Sequence, residues 1–498
     1  MSERSALPDS TPVVVGAAEV VHRAGDAFEM CSATDLLIET VAAALDRSGV
    51  SAALGSRVGE ILVPHGTWSE TDPGRAIAAA IGAPGARTVR SELGVLQHTL
   101  LARAITDVAE GRVDAAVVVG GENRWSGVVA GKSGSSVPSP PDLAMGEPDE
   151  VITPTEMVIS AIEIERNLTT AAHQYAIIES AVRHRLGRSV EEHQDALGAL
   201  WSRFAQIAER APAAWNTDGM DAESITAVSE SNRVIAAPYT KWLISQWNVD
   251  QAAALVVTSV GVARELGIAE SRWVFPLVTA MSNLVVPMPE RADIDAWPAA
   301  RIAGAAAFEA AGLRAEQVDV VDLYSCFPSA VEVQAAELGF DLDRQLTLTG
   351  GMTFGGGPYN NYSLQGAAAM IAELSGRSEP TTGLTSAVSG LLTKPSVTLW
   401  SNRAPQHPYR CIDVAEAARA ETEVRIVDPD LIGPVTVVGA TVVPGRSGDL
   451  TTIAVVESAG AVRSVVQSVD AATGQRFLAT DLVGTDLTIE VAGEFSLG

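Results

Sequence analysis

The chain has 498 residues, 47% of them hydrophobic and 19% charged, which is typical of a globular protein with two or three cores. Its formal net charge of −27 excludes the basic surface that nucleic-acid binding requires. No apolar run is long enough to span a membrane, and the first residues, MSERSALPDSTPVVVG, lack an export signal. The scattered Cys31, Cys326 and Cys411 form no metal-ligand spacing and no disulfide framework. We therefore expect a cytoplasmic protein without a metal.

The first part of the chain alternates between helix and strand patterns. The stretch ATDLLIETVAAALDRSGV predicts an amphipathic helix that ends at Gly49, and VGEILVPHG predicts the strand after it. Next come a helix in GRAIAAAIG, a long helix in LGVLQHTLLARAITDVAEG and a strand in VDAAVVVGGE. This alternation favours a sheet covered by helices.

A helical, Trp-rich insertion is predicted from roughly residue 123 to residue 247. It is typical of a cap that covers a ligand. Its basic stretch AVRHRLGR contains Arg183, which is a candidate contact for an anionic ligand, although a solvated helix face explains the same pattern.

The second part of the chain repeats the first. A helix in ARIAGAAAFEAAGL ends at Gly312 and precedes the strand VDVVDLYSC. The helix AVEVQAAELG then matches GRAIAAAIG, the glycine-rich GPYNNYSLQGAAAMIAELSG matches the long helix, and PSVTLWSN matches VDAAVVVGGE. We predict an α/β fold of two duplicated halves, residues 1–269 and 270–405, whose loops meet across a pseudo-twofold axis.

The remaining residues, 406–498, change character. Apolar and polar residues alternate in PVTVVGATVV, LTTIAVVES and LTIEVAG, with Gly, Asp and Pro between them. This predicts an additional small antiparallel β-barrel or sandwich.

The densest glycine patch, GGMTFGGGPYNNYSLQG, precedes the second long helix. It is not a dinucleotide fingerprint, because Pro358 interrupts it, and it lacks the Lys-Ser/Thr pair of a phosphate loop. Glycines before a helix allow close backbone approach, so Gly355, Gly356 and Gly357 are candidate ligand-binding residues, although close packing between two sheets is the alternative. Asn360 or Asn361 is expected to cap the helix.

These stretches together resemble the thiolase superfamily, most closely the sterol-carrier-protein-type thiolases and the type 1 thiolase-like proteins with an extra C-terminal domain. The resemblance rests on DAAVVVGGE, PYTKWLISQWNVDQAAALVVTS, VDLYSCFPSAVEVQAAELG, GGMTFGGGPYNNY and GLLTKPSVTLWS. It implies a layered αβαβα core and coenzyme A or an acyl-CoA thioester as the ligand, and it places Asn360 and Lys241 near that ligand.

The resemblance also shows what is missing. A thiolase has a nucleophilic cysteine at the start of the long helix of the first half, but the corresponding residues 93–99, LGVLQHT, contain none. The activating histidine of a GHP motif is replaced by Gly357, and no histidine occurs between His193 and His407. We therefore expect no ordinary thiolase activity.

The sequence Tyr324-Ser325-Cys326-Phe327 stands where the family builds an oxyanion hole and an acid/base cysteine. Tyr324 and Cys326 are therefore candidate catalytic residues, together with Asn361 and Tyr362 after the glycine patch. Each has an ordinary structural alternative, as a buried aromatic, a small core residue or a helix cap. Lys394, which follows an apolar pair, is either buried beside an acid or ligand, or exposed.

Three functions stay open at this point. The chain is a CoA or acyl-CoA binder of lipid or sterol metabolism, a retro-aldolase or other carbon–carbon lyase acting on β-hydroxyacyl-CoA, or a non-catalytic subunit of a β-oxidation complex. The resemblance is compatible with a monomer or a dimer, and with a partner protein from lipid metabolism.

Overall fold

The computed structural model describes residues 7–445 and 447–497, so residues 1–6, with which the predicted first half begins, lie outside it. The first half contains β1 (Pro12–His22), α1 (Ala33–Ser48), α2 (Ser51–Gly55), β2 (Val58–Pro64), α3 (Pro73–Ala80), β3 (Arg87–Ser91), α4 (His98–Ala109) and β4 (Ala115–Asn123). As predicted, α1 ends at Gly49, whose φ of 79° lies in the left-handed region that favours glycine.

The insertion follows β4 and is mostly helical, as expected. It contains α5 (Arg124–Ser133), β5 (Glu150–Ile152), α6 (Ala161–Glu165), α7 (Ala171–Arg185), α8 (Val190–Ala208), α9 (Ala222–Thr226), β6 (Val234–Ala236) and β7 (Tyr239–Thr240). The chain then returns to the first sheet through β8 (Asp250–Ser259) and continues with α10 (Val260–Glu265).

The second half contains β9 (Phe275–Met281), α11 (Pro298–Ala311), β10 (Val320–Asp322), α12 (Pro328–Leu338), α13 (Tyr362–Ser375), β11 (Thr382–Ser389) and β12 (Lys394–Ser401). The last part contains β13 (Arg410–Asp413), α14 (Ala415–Glu421), β14 (Ile426–Val427), β15 (Gly433–Pro444), β16 (Leu450–Ser458), β17 (Val462–Ser468), α15 (Ala471–Ala479) and β18 (Asp486–Ile489).

The strand order shows the duplication. In the first sheet the order is β1-β8-β4-β2-β3-β5, and in the second it is β10-β11-β12-β9-β13. The pairs β1–β8 and β9–β12 are both antiparallel, as are β8–β4 and β12–β11, whereas β4–β2 and β11–β10 are both parallel. The equivalent of β4 is therefore β11, so the sequence match of β4 to PSVTLWSN is wrong. The strand β11 was not predicted, because its sequence is rich in Thr and Ser.

The helices complete five layers. Helices α1 and α3 pack on the outer face of the first sheet. Apolar side chains of α4 and α13 fill the space between the two sheets, in a cluster that also contains Val118 and Trp400. Helices α11 and α12 lie in the cluster on the other face of the second sheet. The predicted αβαβα core is therefore confirmed.

The additional C-terminal sheet has the order β14-β17-β16-β15-β18. Within the described residues, β14 and β18 are opposite edges, so the five strands form an open sheet where a barrel was expected. One face packs on α7 of the insertion, and α15 covers the other. The segment after residue 405 first adds β13 to the second sheet, so the chain enters the additional domain only at β14.

Among the described residues, no helix has the length and the apolar character that crossing a bilayer requires.

Candidate functional site

The N-terminal ends of α4 and α13 meet between the two sheets, and most of the predicted site residues lie there. Side chains of one half bind the backbone of the other: Asn360 Nδ2 donates to the His65 carbonyl at 2.9 Å, and Asn361 Nδ2 donates to the Gly120 carbonyl at 2.7 Å. Asn361 occupies the N-cap position of α13, as one of the two predicted alternatives, but its side chain makes no capping hydrogen bond. Gln97 Oε1 of the first half accepts from the Ser363 N–H instead, at 3.2 Å. These bonds hold the two halves in register.

Side chains of the second half form hydrogen bonds at the N-terminal end of α4. The Gly94 carbonyl, within the stretch where a thiolase has its cysteine, accepts hydrogen bonds from Ser389 Oγ at 3.0 Å and from Lys394 Nζ. Lys394 is buried, and burial lowers the pKa of its ammonium group. The structure thus decides between the two alternatives for Lys394: it is inside, with a backbone carbonyl as its partner.

His98, the first residue of α4, is a buried histidine that sequence reasoning did not single out. Its Nδ1 lies 2.7 Å from Ser396 Oγ, on the same face of β12 as Lys394. Burial lowers the pKa of His98 to about 3, so the ring is neutral at pH 7. The α4 end therefore has a neutral imidazole but no thiol for it to activate.

The glycine loop, residues 350–357, precedes the N-terminal end of α13. A Cβ placed on Gly357 would lie 2.1 Å from Ser245 Oγ, and one on Gly356 would lie 2.0 Å from Gln251 Oε1. The Gly357 N–H already donates to the Gln246 carbonyl at 2.9 Å. A histidine side chain at position 357 therefore has no space without movement of this loop. Thioester contact by Gly355, Gly356 and Gly357 stays a prediction.

Tyr324, Cys326 and Tyr362 lie together beside this loop. The rings of Tyr324 and Tyr362 meet edge to face, with centroids 5.8 Å apart. Burial raises the pKa of Cys326 to about 12, and burial together with the nearby Cys326 thiol holds the pKa of Tyr324 well above its ordinary value. Both groups are therefore protonated at pH 7 and can donate hydrogen bonds.

Tyr362 belongs to a buried hydrogen-bond network centred on Asp322, at the end of β10. Tyr362 Oη lies 2.8 Å from Thr349 Oγ1 and 3.5 Å from Asp322 Oδ1. Burial raises the pKa of Asp322 to about 6, while the Leu348 N–H and Thr347 hydroxyl that it accepts oppose this shift. The acid in the apolar run VDVVDLY was the available signal for this carboxylate, which sequence reasoning missed.

Three half-exposed side chains lie at the outer edge of the site and were also missed. The rings of Trp247 and Tyr359 are 6.1 Å apart, and the Arg124 guanidinium lies 3.9 Å from the Trp247 ring centroid. Tyr359 follows the glycine loop by two residues. Aromatic rings exposed beside a cation suit a planar, anionic ligand.

Two predicted ligand contacts, Lys241 and Arg183, have partners within the protein. Lys241 begins a short turn after β7, and its ammonium group lies over the Trp242 ring at 4.9 Å. Arg183 is buried on α7 and donates to Asp481 of the additional domain at 2.9 Å. That ion pair joins the insertion to the additional domain, and the structure does not bring Arg183 next to the glycine loop.

Glu179, His193 and Glu332 form the one buried group of ligand-type side chains found among residues 7–445 and 447–497, and their ligand atoms lie within 4.8 Å of one another. His193 Nε2 lies 2.8 Å from Glu179 Oε1, and Tyr239 donates to Glu179 Oε2 at 2.7 Å. These two hydrogen bonds join α7 to α8 and to β7. Glu332 on α12 lies beside them, and its Oε2 has no hydrogen-bond partner among the described residues.

No protein-family model and no curated protein matches the sequence. Among solved structures, a monomeric SCP2-thiolase-like protein type 1 from Mycobacterium smegmatis is 26% identical, with a TM-score of 0.82 and 97% of each chain covered. The Ltp2-ChsH2(DUF35) aldolase is 19% identical, with a TM-score of 0.60, covering 80% of this chain and 100% of that one. The dimeric peroxisomal thiolase of Saccharomyces cerevisiae is 15% identical, with a TM-score of 0.57, covering 79% and 98%.

The two lower-identity structures show the fold of the core alone, whereas the mycobacterial protein matches over nearly the whole chain, including the additional domain. The chain therefore has the thiolase fold and is similar over nearly its whole length to an SCP2-thiolase-like protein.

Proposed function

We propose that the protein binds CoA or an acyl-CoA thioester beside the glycine loop and does not catalyse thiolysis. One observation carries this proposal: in a thiolase fold, the α4 end offers no thiol, while Tyr324 and Cys326 at the α13 end present protonated donors. Such donors stabilise a thioester oxygen by hydrogen bonding without forming a covalent bond.

The outer edge of the site supports the same ligand. CoA carries an adenine ring and phosphates, and Trp247, Tyr359 and Arg124 offer two ring faces and one guanidinium. A ligand that stacks there lies beside Tyr359, which follows the glycine loop by two residues.

Calorimetric titration with acetyl-CoA tests this function. We expect binding to the wild type, about fivefold weaker binding to Tyr324→Phe through the loss of one hydrogen bond, and unchanged binding to Tyr409→Phe, a partly buried tyrosine just before β13. An absence of binding, or turnover of acetoacetyl-CoA with CoA as the acceptor, contradicts the proposal.

A carbon–carbon lyase is a second candidate, favoured by the contact of Tyr362 with Asp322. In such a reaction Tyr362 accepts the β-hydroxyl proton and passes its own proton to Asp322, which is ionised at pH 7. The bond between the α- and β-carbons breaks, a carbonyl product leaves, and a neutral donor such as Tyr324 protonates the α-carbon of the thioester. Release of an aldehyde or ketone from β-hydroxyacyl-CoA, lost in Tyr362→Phe, distinguishes this enzyme from a binder.

A non-catalytic role within a larger lipid-metabolism assembly is the third candidate from the sequence. In such an assembly the protein would bind a thioester at the edge formed by Trp247 and Tyr359 without thiolysis. Binding of acetyl-CoA without product from either substrate supports this role over the lyase.

A further inference from the structure

A cavity of about 850 Å³ lies between β1, α13 and the end of α8, and Gly355 and Gly356 of the glycine loop line part of it. We call it the α13 cavity. Its volume is in the range of pockets that enclose a drug-sized ligand. Along α13 its lining runs from Tyr362 to Ser375, which corresponds to about 20 Å of helix.

The middle of the α13 cavity is lined mainly by small apolar side chains. Ala17 on β1, Ala368 and Ala369 on α13, and Ala213 with Ile207 near the end of α8 line its middle. Small residues on three separate elements leave a channel that an extended aliphatic chain can fill.

The end of the cavity near Tyr362 is polar. Gln365 is only 4% exposed, and its Oε1 has no hydrogen-bond partner in the part of the chain that the structure describes. A buried acceptor without a donor is costly, so Oε1 is an acceptor available to a ligand. The Glu19 carboxyl lines the same end, and burial, with a smaller contribution from Asp322, raises its pKa to about 8. A neutral Glu19 can both donate and accept a hydrogen bond.

The other end of the cavity is cationic. Arg47 and Arg272 line it, and Arg272 donates to the Arg47 carbonyl. They lie where β1 begins, because Val14 pairs with Val274, two residues after Arg272. Within residues 7–445 and 447–497, neither guanidinium forms a salt bridge. Glu373, the acid nearest that end of α13, is already paired with Arg377.

We propose that the α13 cavity binds a long-chain carboxylate that carries a hydroxyl group. The carboxylate lies at Arg47 and Arg272, the chain lies against the alanines of β1 and α13, and the hydroxyl lies between Glu19 and Gln365. An extended chain of sixteen carbons matches the length of the cavity. The cavity shares Gly355, Gly356 and Tyr362 with the proposed thioester site, but binding of a carboxylate there does not require a thioester.

Calorimetric titration of the full chain with 16-hydroxyhexadecanoate and with hexadecanoate, both below their micelle concentrations, tests the proposal. We expect the hydroxylated probe to bind about fivefold more tightly, which corresponds to one hydrogen bond. Gln365→Leu removes this difference between the probes. Arg272→Ser, at an exposed position, weakens both probes about tenfold.

A variant that fills the cavity tests whether the probes bind inside it. Ala369→Phe places a ring in the channel and abolishes binding of both probes, whereas Ala42→Phe, at an exposed position on α1 outside the cavity, leaves binding unchanged. An absence of heat with either probe, equal affinity for the two probes, or wild-type affinity in a folded Ala369→Phe overturns the proposal. If Ala369→Phe does not fold, wild-type affinity in Arg272→Ser overturns it.

Discussion

The N-terminal ends of α4 and α13 are equivalent positions in a duplicated fold, yet they have opposite characters. At α4, Lys394 and Ser389 donate hydrogen bonds to the Gly94 carbonyl, and the neutral His98 is buried. At α13, the glycine loop lies beside protonated donors and lines part of a cavity. Equivalent helix ends of a duplicated fold can therefore have different polar surroundings.

The largest expected effect is on stability, and it tests whether the glycine loop packs closely against the end of α8. Gly350 has a φ of +87°, and a Cβ there would lie 2.7 Å from Ala208 Cα. Gly350→Ala should lower the free energy of unfolding by about 3 kcal/mol, because backbone strain and overpacking add. Chemical denaturation measures this loss.

Gly82→Ala is the matched control, since Gly82 has a φ of +79° with nothing within 4 Å of the added Cβ. It should cost only about 1 kcal/mol, from strain alone. Equal losses in the two variants would show that the approach of α8 to the loop is not tight.

The next effect concerns His98 at the α4 end. The unfolded chain binds a proton near the ordinary pKa of 6.5, but folded His98 does so only near pH 3. The free energy of unfolding should therefore fall as the pH drops through this window, by about 1.4 kcal/mol per pH unit. His98→Gln should remove that slope, and His407→Gln, at an exposed position, should not. Identical acid sensitivity in all three proteins would contradict a buried neutral ring.

Glu19 at the α13 cavity should show the opposite sign and a smaller effect. Its pKa is raised from 4.5 to about 8, so folded Glu19 keeps a proton that the unfolded chain has released. Stability should therefore fall as the pH rises from about 5 to 8. The effect is smaller because this carboxyl is partly exposed to the cavity.

Glu19→Gln should flatten this loss of stability, whereas Glu416→Gln, exposed on α14, should leave it intact. Thermal unfolding at several pH values makes the comparison. If the stability of Glu19→Gln depends on pH as that of the wild type does, the Glu19 carboxylate is charged and in solvent, and the contrast with His98 is wrong.

Local patterns predicted much of the fold. The ends of α1 and α11 were predictable because Gly49 and Gly312 adopt the left-handed conformation that glycine favours. The strand β11 was not, because its sequence TGLTSAVS lacks a clear apolar alternation and takes its place only between β10 and β12.

The site was predictable in its parts but not in its arrangement. Motif positions identified Tyr324, Cys326 and Tyr362, which the structure brings together. They could not show Ser245 against Gly357 or the cavity around Glu19, because these contacts join residues that are far apart in sequence. An acid in the strand GAAEVV is recognisable as a cavity residue only once α13 is packed against β1.

Mass spectrometry of the protein mixed with acetyl-CoA tests the central claim most directly. Under native conditions we expect a complex with the intact thioester, and after denaturation we expect the unmodified mass of the chain. An acetyl adduct that survives denaturation would contradict the account, because it would require a nucleophile at a site where the described side chains offer only protonated donors.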